Sequence, residues 1–449
     1  MKKRVWLFCI FISGLVCTSC AVAQEKAEPV SKVPLEQDTL EMEPDFSYVI
    51  PMQLPHILVD RTGYQSGDKK VAFFYGKDLE ETFEVRDELT EEVVYSGTLR
   101  QVKETDGKIL YTGIFTDFGK PGNYYIHQNQ VGDSYSFSIG EAVYNQKYKK
   151  MESALLKEKC TTVSEQAYLL ANYMFIDEMF SETWTNISYI RAKIEMLLYS
   201  QDPATGAFYS EIMEAPVDAA TYEGTISLSA TAQMAGVLAQ YAYLYWGTED
   251  PILINKCLQA SQKAYYYMET YRDNTDTDTW YYAATQLYRL TRQYKYQNAI
   301  IEYDTLATES RSSSPYGYTI LADFTYMSTP YGTDYKRCEQ LMDMYLDKAQ
   351  AISTQSSREY FYVLPDIVAM SDKEILDDMV ILGIVNHVLS GQEYAGVQKN
   401  YIHYLSGINP DRQDYLNARM LKEEGTERMD VGESVKMLVV YANLYDNGK

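Results

Sequence analysis

The fold of this chain is decided by the stretch from Ser227 to Tyr271, which reads SLSATAQMAGVLAQYAYLYWGTEDPILINKCLQASQKAYYYMETY. Its first half carries apolar residues at intervals of three and four, the spacing of one face of an α-helix. Gly247 is then a helix-stop signal, and Asp250-Pro251 is a helix-start signal, because a capping side chain precedes a proline in the first turn. Apolar residues continue at helical spacing as far as Met268. The stretch therefore predicts a helical hairpin.

Small residues stand between the apolar positions of the first of these two helices: Ala232, Ala235, Gly236 and Ala239. Small side chains allow the axis of a neighbouring helix to come close. We therefore expect this helix to pack tightly within a larger helical array.

The composition restricts the classes of partner. The 449 residues include 40 Lys and Arg against 63 Asp and Glu, a net charge of −23. This charge opposes binding to nucleic acid or to an anionic membrane and suits neutral ligands. The plainer alternative is that many extracellular proteins are simply acidic. The 43 tyrosines could stack on sugars or lie at the edge of the core with the hydroxyl in water.

The first 23 residues have the pattern of a signal peptide, with a basic head and an apolar run from Val5 to Val16. Two forms of processing remain open, cleavage after Ala21-Val22-Ala23 and lipidation of Cys20. Both predict an exported protein, extracellular or attached to the cell surface, whose only membrane contact is a possible N-terminal lipid. Residues 24–52 are rich in Pro, Glu and Ser and predict a flexible tether.

From residue 53 to 140 the hydrophobic period becomes two. Short alternating or apolar runs are separated by turn signals such as Ser66-Gly67-Asp68 and Lys120-Pro121-Gly122. The runs are HILVDRTGY, KKVAFFYG, TFEVRDE, EEVVYSGTL, KILYTGIFTDF, GNYYIHQ and SYSFSIG. Strands of this number and spacing predict a β-sandwich of immunoglobulin size.

From residue 141 to 449 the period is helical. It predicts about twelve helices, near 141–158, 164–179, 187–200, 228–246, 251–271, 279–292, 294–303, 316–327, 334–352, 372–390, 392–405 and 430–445. The short turns favour antiparallel hairpins. Periodicity alone leaves a solenoid, a bundle and a closed α/α toroid as alternatives.

Several segments resemble family 9 glycoside hydrolases, the endoglucanase-type cellulases. SATAQMAGVLAQ and DPILINKCLQASQKAYYYM are similar to a helix pair of that family. The runs Val59 to Tyr64, Pro121 to Tyr125 and Ser134 to Gly140 resemble the immunoglobulin-like domain that precedes many of its catalytic domains. The resemblance implies a multidomain protein, β plus all-α, with an N-terminal immunoglobulin-like β-sandwich followed by an α/α toroid, the six-hairpin barrel.

The resemblance also implies hydrolysis of a glycoside by inversion, in a β-glucan or related polysaccharide or oligosaccharide. This chemistry needs a protonated carboxyl at the leaving oxygen and a carboxylate that activates water. The family's base lies in an Asp-Ala-Gly-Asp motif, which is absent between KYKKMESALLKEKC and VSEQAYLLANYMF. The family's acid corresponds best to Glu427, with Asp430 and Glu433 as alternatives. Acidic residues at a helix start are also explained by the helix dipole.

Two functional classes therefore remain. One is a divergent glycoside hydrolase with Glu427 or a neighbour as the acid and an unidentified base. The other is a non-catalytic surface protein of the same fold that binds glycan or serves a structural role. Opposed carboxyls in a cleft at the mouth of the toroid would favour the enzyme.

The remaining candidates are weaker. Trp280, Tyr281 and Tyr331 could stack on sugar, although core packing explains such residues as well. The acidic run from Asp273 to Asp278 lacks the glycine and distant glutamate of a calcium loop, so a helix cap is the better interpretation. Cys160, Cys257 and Cys338 form no metal cluster and no evident disulfide framework, a pattern that favours buried thiols and leaves one bridge open. We expect no metal and no cofactor, and the oligomeric state stays open.

Overall fold

A computed structural model describes residues 54–105, 108–180, 186–216, 222, 224–272, 275–306, 317–389, 393–416 and 430–445. The chain divides by contacts into Met1–Gln53 and Leu54–Lys449, and every described residue belongs to the second unit. That unit contains a β-rich part followed by a helical part.

The β-rich part is an antiparallel sandwich. Its strands are β1 (Ile57–Leu58), β2 (Val71–Gly76), β3 (Thr82–Asp87), β4 (Val93–Thr105), β5 (Lys108–Ile114), β6 (Gly122–Gln128), β7 (Gly132–Asp133) and β8 (Phe137–Ile139). They are ordered β1-β2-β5-β4-β3-β6-β7, and β8 pairs with β6. The long β4 pairs with β3 through its first half and with β5 through its second. One strand thus belongs to both layers, which enclose a core of aromatic and branched residues.

Twelve α-helices lie within the described part of the chain after the sandwich. They are α1 (Val143–Leu155), α2 (Val163–Met179), α3 (Ile187–Leu197), α4 (Leu228–Leu244), α5 (Pro251–Thr270), α6 (Thr277–Thr291), α7 (Tyr294–Leu306), α8 (Tyr318–Met327), α9 (Tyr335–Ser356), α10 (Asp372–Leu389), α11 (Glu393–Leu405) and α12 (Val431–Asn443). A two-stranded hairpin, β9 (Phe208–Tyr209) with β10 (Ile226–Ser227), precedes α4.

The helices form two concentric layers. The even-numbered helices make an inner ring, in which α2 contacts α4, α4 contacts α6, α6 contacts α8, α10 contacts α12, and α12 returns to α2. Residues of α8 and α10 that line one interior space, among them Leu321 and Val380, close the ring. Odd-numbered helices pack outside, for example α5 on α4 and α7 on α6. The predicted toroid of six hairpins is confirmed.

The opening stretch folds as its residues predict. The Ser227 side chain caps α4, Gly247 has a positive φ of 88°, and Asp250 caps α5 with Pro251 in the first turn. A Cβ at Gly236 would lie 2.2 Å from the ring of Tyr282 on α6. The small residue therefore sets the close approach of the two inner helices.

The sandwich is joined to the helical part through buried polar groups. His403 Nδ1 lies 2.5 Å from Asp60 Oδ2, and the hydroxyls of Thr62 and Ser406 are 2.6 Å apart. Complete burial raises the pKa of the Asp60 carboxyl, and the His403 contact opposes that rise. This contact orients the sandwich on the helical ring.

The cysteines Cys160, Cys257 and Cys338 are all free thiols. Burial raises the pKa of Cys257 to about 12 and that of Cys160 to about 11. Among the described residues, no helix combines the length and the hydropathy that crossing a membrane requires.

Candidate active site at the mouth of the helical ring

The inner helices run in the same direction, so their N-termini meet at one end of the ring, which we call the mouth. Their C-termini meet at the other end, which we call the far end. Side-chain caps begin several of these helices: Thr162 for α2, Asp276 for α6 and Asp430 for α12. Helix N-termini carry partial positive charge, which favours carboxylates there.

A cavity of about 410 Å³ opens at the mouth. It is lined by residues from the beginnings of five inner helices, namely Tyr168, Asp276, Asp278, Gly317, Tyr318, Lys373, Asp430, Gly432, Glu433 and Lys436. Four of these are carboxylates and two are lysines. The cavity is large enough for a small polar ligand, and its lining can both accept and donate hydrogen bonds.

One pair of carboxylates belongs to the start of α6. Asp276 Oδ2 accepts hydrogen bonds from the backbone N–H of Thr279 at 2.9 Å and from its hydroxyl at 2.6 Å. The Tyr303 hydroxyl donates to Asp278 Oδ1 at 2.9 Å. The expectation that this acidic run caps the Trp280 helix is confirmed. These bonds fix both carboxylates and use one oxygen of each.

The second pair belongs to the start of α12. The backbone N–H of Glu433 donates to Asp430 Oδ1 at 2.7 Å, and that of Asp430 donates to Glu433 Oε2 at 3.2 Å. This reciprocal capping box orders the first turn of α12. It also holds both carboxylates at the edge of the cavity.

The two pairs lie on opposite sides of the ring. In a ring of six helices ordered α2-α4-α6-α8-α10-α12, α6 and α12 are three places apart. Carboxylates from both line the same cavity. Two carboxyl groups that flank one space are the arrangement that cleavage of a glycosidic bond with inversion requires.

Beneath the cavity a buried ion pair connects two helices. Lys436 of α12 donates to Asp377 Oδ1 of α10, and both side chains are almost fully buried. Burial raises the pKa of Asp377 and lowers that of Lys436, while their mutual attraction opposes both changes. Tyr168 and Tyr318 meet edge to face above this pair, with ring centroids 5.3 Å apart. The floor of the cavity is thus polar but packed.

The residues predicted to act on sugar fall in different places. Asp430 and Glu433 line the cavity, whereas Glu427 lies outside the described residues, as does Cys20, the predicted lipidation site. Their predicted roles stay predictions.

The side chains of Trp280 and Tyr281, on α6, are buried in the core of the helical part rather than exposed at the cavity. The guanidinium of Arg272 covers the Trp280 ring at 3.7 Å. Tyr281 stacks on Tyr303 with centroids 4.0 Å apart, and its hydroxyl donates to Asp323 at 2.7 Å. Neither ring has a face open to a sugar, because both rings are covered by neighbouring side chains of the core.

Tyr331 is 78% exposed, but it follows the C-terminus of α8. It therefore lies at the far end of the ring, away from the cavity. The predicted sugar stacking by Tyr331 therefore concerns a different surface and stays a prediction.

Sequence reasoning missed most of the cavity lining. The sequence predicts a helix cap within the acidic run from Asp273 to Asp278, but the spacing of this run does not indicate which other helix N-terminus it faces. Lys373 and Lys436 occupy ordinary helical positions. The available signal was the even-numbered order of helices, since in a closed toroid alternate helices begin at one end. Among the described residues, no cluster of three His, Cys, Asp or Glu side chains could hold a metal ion.

Two family models match the chain. The cellulase N-terminal ig-like domain matches residues 53–133, and glycosyl hydrolase family 9 matches residues 200–418. The second match includes Asp276, Asp278 and Lys373 but ends before α12. A search of curated proteins found no match.

Solved structures with the same fold cover most of the chain. A metagenome-derived glycoside hydrolase family 9 endoglucanase matches with TM-score 0.69 and 16% identity, over 87% of this chain and 98% of that one. A family 9 protein from Bacteroides ovatus matches with TM-score 0.67 and 14% identity, over 87% of this chain and 98% of that one. AaCel9A, in complex with cellobiose-like isofagomine, matches with TM-score 0.66 and 14% identity, over 87% of this chain and 99% of that one. At this identity the likeness is one of fold.

Proposed function

Because the chain belongs to glycosyl hydrolase family 9 and carries the immunoglobulin-like domain of cellulases, we propose that it hydrolyses glycosidic bonds. The substrate is a β-glucan or a related polysaccharide, and the reaction takes place in the mouth cavity. A glycan suits a protein of net charge −23, since a neutral polymer is not repelled.

The proposal is carried by one observation, the two pairs of carboxylates that reach one cavity from opposite helices of the ring. The separation that inversion needs, roughly 6.5–9.5 Å between carboxyl groups, leaves room for a water molecule beside the sugar. AaCel9A, which has the same fold, has a solved structure in complex with cellobiose-like isofagomine.

We assign the acid to the α12 side and the base to the α6 side. A carboxyl of the α12 side, Glu427 by resemblance or Glu433 by its place in the cavity, gives its proton to the glycosidic oxygen. Asp276 or Asp278 takes a proton from water, whose oxygen bonds to the anomeric carbon as the glycosidic C–O bond breaks. The product carries the inverted anomeric configuration.

The test is release of reducing ends from a panel of soluble β-glucans and xylans by residues 24–449. Asp276→Asn, Asp278→Asn, Glu427→Gln and Glu433→Gln each remove one charge and keep the shape of the side chain. Losing the acid or the base should lower kcat by at least about 100-fold. We expect this loss from one variant on each side of the ring.

Asp334→Asn is the matched control. Asp334 caps α9 as Asp276 caps α6, but it lies at the far end. Asn caps nearly as well as Asp, so this variant should keep both its fold and its activity. If wild type releases sugar and none of the four cavity variants is impaired, the site lies elsewhere.

A second candidate function is binding of glycan without hydrolysis. Two observations favour it. All four cavity carboxylates already accept hydrogen bonds, three of them as helix caps and Asp278 from the Tyr303 hydroxyl. The connection between α1 and α2 also contains no aspartate. Oligosaccharide binding measured by calorimetry, together with no reducing-end release at high protein concentration, would support it.

Export to the cell surface belongs to the same proposal. A lipid on Cys20, or cleavage before Gln24, would place the protein where polysaccharide is found. Metabolic labelling with palmitate, compared between wild type and Cys20→Ala, separates the two forms of processing.

A further inference from the structure

A group of exposed aromatic side chains lies at the far end of the ring. It comprises Trp246, Tyr294, Tyr331 and Tyr335, and we call it the aromatic platform. Their residues are 62%, 76%, 78% and 82% exposed, respectively. Exposed apolar side chains that are grouped on one surface, rather than scattered singly, mark interaction sites.

Three of the four platform residues follow the ends of neighbouring inner helices, and Tyr335 begins α9. Trp246 comes just after α4, Tyr294 just after α6, and Tyr331 just after α8. Two contacts bring these helix ends together. The Arg289 guanidinium of α6 lies 4.1 Å from the Tyr243 ring of α4, and Arg292 donates a hydrogen bond to the Tyr331 carbonyl. Since packed helices are about 8–10 Å apart, Trp246, Tyr294 and Tyr331 lie at neighbouring positions across this end.

The segment that carries Tyr331 is held in place from two sides. The Tyr288 hydroxyl donates to the Gly332 carbonyl, and the backbone N–H of Asp334 donates to the Tyr326 hydroxyl at 2.8 Å. Asp334 then caps α9. The backbone is therefore fixed while the Tyr331 ring projects into solvent. Binding would thus cost little conformational entropy, because the segment is already ordered.

Two cations beside the platform, Arg292 and Lys295, are engaged with protein groups, whereas Lys336, next to Tyr335, is exposed. Arg292 binds the Tyr331 carbonyl and lies over the Tyr288 ring. Lys295 lies 4.7 Å from the Tyr296 ring. The exposed rings of the platform present aromatic faces with a phenol or indole edge, which suit the apolar face and the hydroxyls of a neutral sugar ring.

We propose that the aromatic platform binds a neutral β-glucan chain, separately from the mouth cavity. The cavity and the platform lie at opposite ends of the ring, so the platform takes a second stretch of polymer and holds the protein on it. Only the choice of β-glucan rests on the proposed function. The platform itself requires no hydrolysis.

The experiment measures binding of residues 24–449 to amorphous cellulose by depletion from solution. Tyr294→Ala, Tyr331→Ala and the double variant are compared with Tyr266→Ala, a tyrosine 70% exposed on the outer helix α5. We expect the double variant to weaken binding about tenfold or more, equivalent to roughly 1.4 kcal/mol, and Tyr266→Ala to leave it unchanged. Tyr331→Phe keeps the ring and should keep most of the affinity.

The outcomes separate this proposal from the catalytic one. Asp276→Asn should bind amorphous cellulose like wild type even if it hydrolyses nothing. Hydrolysis of soluble oligosaccharide should be unaffected by Tyr331→Ala. Equal loss in the Tyr266→Ala and Tyr331→Ala variants, binding that depends on cavity variants alone, or binding only to an anionic polymer such as polygalacturonate would overturn the platform as a neutral-glucan site.

Discussion

Lys436 and Asp377 show how single residues beneath the cavity are constrained. Each is almost fully buried, so each charge depends on the other for the solvation that water would supply. Asp377 Oδ2 has no hydrogen-bond partner. A lone charge at this position would be costly, whereas a pair of apolar side chains could replace both.

We therefore predict that Lys436→Met destabilises the protein by about 3–5 kcal/mol, because it leaves the Asp377 carboxylate buried without its cation. Urea denaturation followed by circular dichroism measures the change. Lys436→Met combined with Asp377→Leu should recover most of the lost stability. A single variant as stable as wild type would show that the pair is not buried as described.

Gly236 is a second constrained residue. Replacing it with alanine places a methyl group 2.2 Å from the Tyr282 ring, and Tyr282 is held by its hydrogen bond to Gln240 at 2.7 Å. We expect Gly236→Ala to cost about 1–3 kcal/mol from overpacking, measured as a lower denaturation midpoint.

Gly396 provides the matched control, since it is also a helical glycine but a Cβ there meets nothing within 4 Å. Gly396→Ala should be neutral or stabilising by about 0.5–1 kcal/mol. Equal effects of the two substitutions would contradict the close approach of α4 and α6.

Among the elements, α12 combines a structural and a chemical role in its first turn. Its capping box orders the helix, and the same carboxylates line the cavity. Removing charge and removing the cap are therefore separable changes at Asp430.

We predict that Asp430→Asn keeps the stability of wild type, because asparagine caps as well as aspartate, whereas Asp430→Ala loses about 1 kcal/mol. Thermal unfolding of both variants measures the difference. Asp334→Ala, which removes the corresponding cap of α9, should cost a similar amount. If Asn and Ala at position 430 were equally destabilising, the carboxylate charge and not the cap would hold α12.

Most elements could be predicted from the sequence. The twelve helices and seven strand runs follow from hydrophobic period and from stop signals such as Gly247 and the Asp250-Pro251 start. The short β7 and the β9–β10 hairpin were missed, since a pair of two-residue strands such as Phe208–Tyr209 and Ile226–Ser227 has no period to detect.

The candidate site could be predicted only in part: resemblance indicates Asp430 and Glu433 as alternatives for the acid, but no sequence pattern indicates that Asp276 faces them. Asp276 and Asp430 are 154 positions apart, and each is explained locally as a helix cap. Only closure of the ring brings them to one cavity. The aromatic character of Trp280 and Tyr281 suggests sugar stacking, but spacing alone does not show which way their side chains face. In the structure Trp280 packs against Arg272, and Tyr281 packs against Tyr303.

At the scale of the whole molecule, the sandwich and the helical ring share buried polar contacts. Asp60 is fully buried and reaches His403 of α11. This contact makes the stability of the two parts interdependent.

We predict that His403→Leu costs about 2–3 kcal/mol at neutral pH, because the buried Asp60 carboxylate loses a hydrogen-bond partner. Burial raises the pKa of Asp60. At pH values between the pKa of the unfolded chain and this raised pKa, the folded state therefore keeps a proton that the unfolded chain has lost. The cost should shrink as the pH falls through that raised pKa, since protonation removes the buried charge. Urea denaturation across pH measures this.

His127→Leu is the control, since His127 pairs with the largely exposed Asp133 on the sandwich surface. Its effect should stay within about 0.5 kcal/mol. A cost of His403→Leu that is constant from neutral to acidic pH would contradict the role of Asp60.

The most direct test of the mouth cavity as a glycosidase site is a crystal structure of the Asp276→Asn variant grown with a cello-oligosaccharide. We predict sugar density between the α6 and α12 carboxylates, with a glycosidic oxygen within hydrogen-bond distance of a carboxyl on the α12 side. A cavity without sugar at saturating oligosaccharide, while glycan occupies another surface of the same molecule, would contradict it.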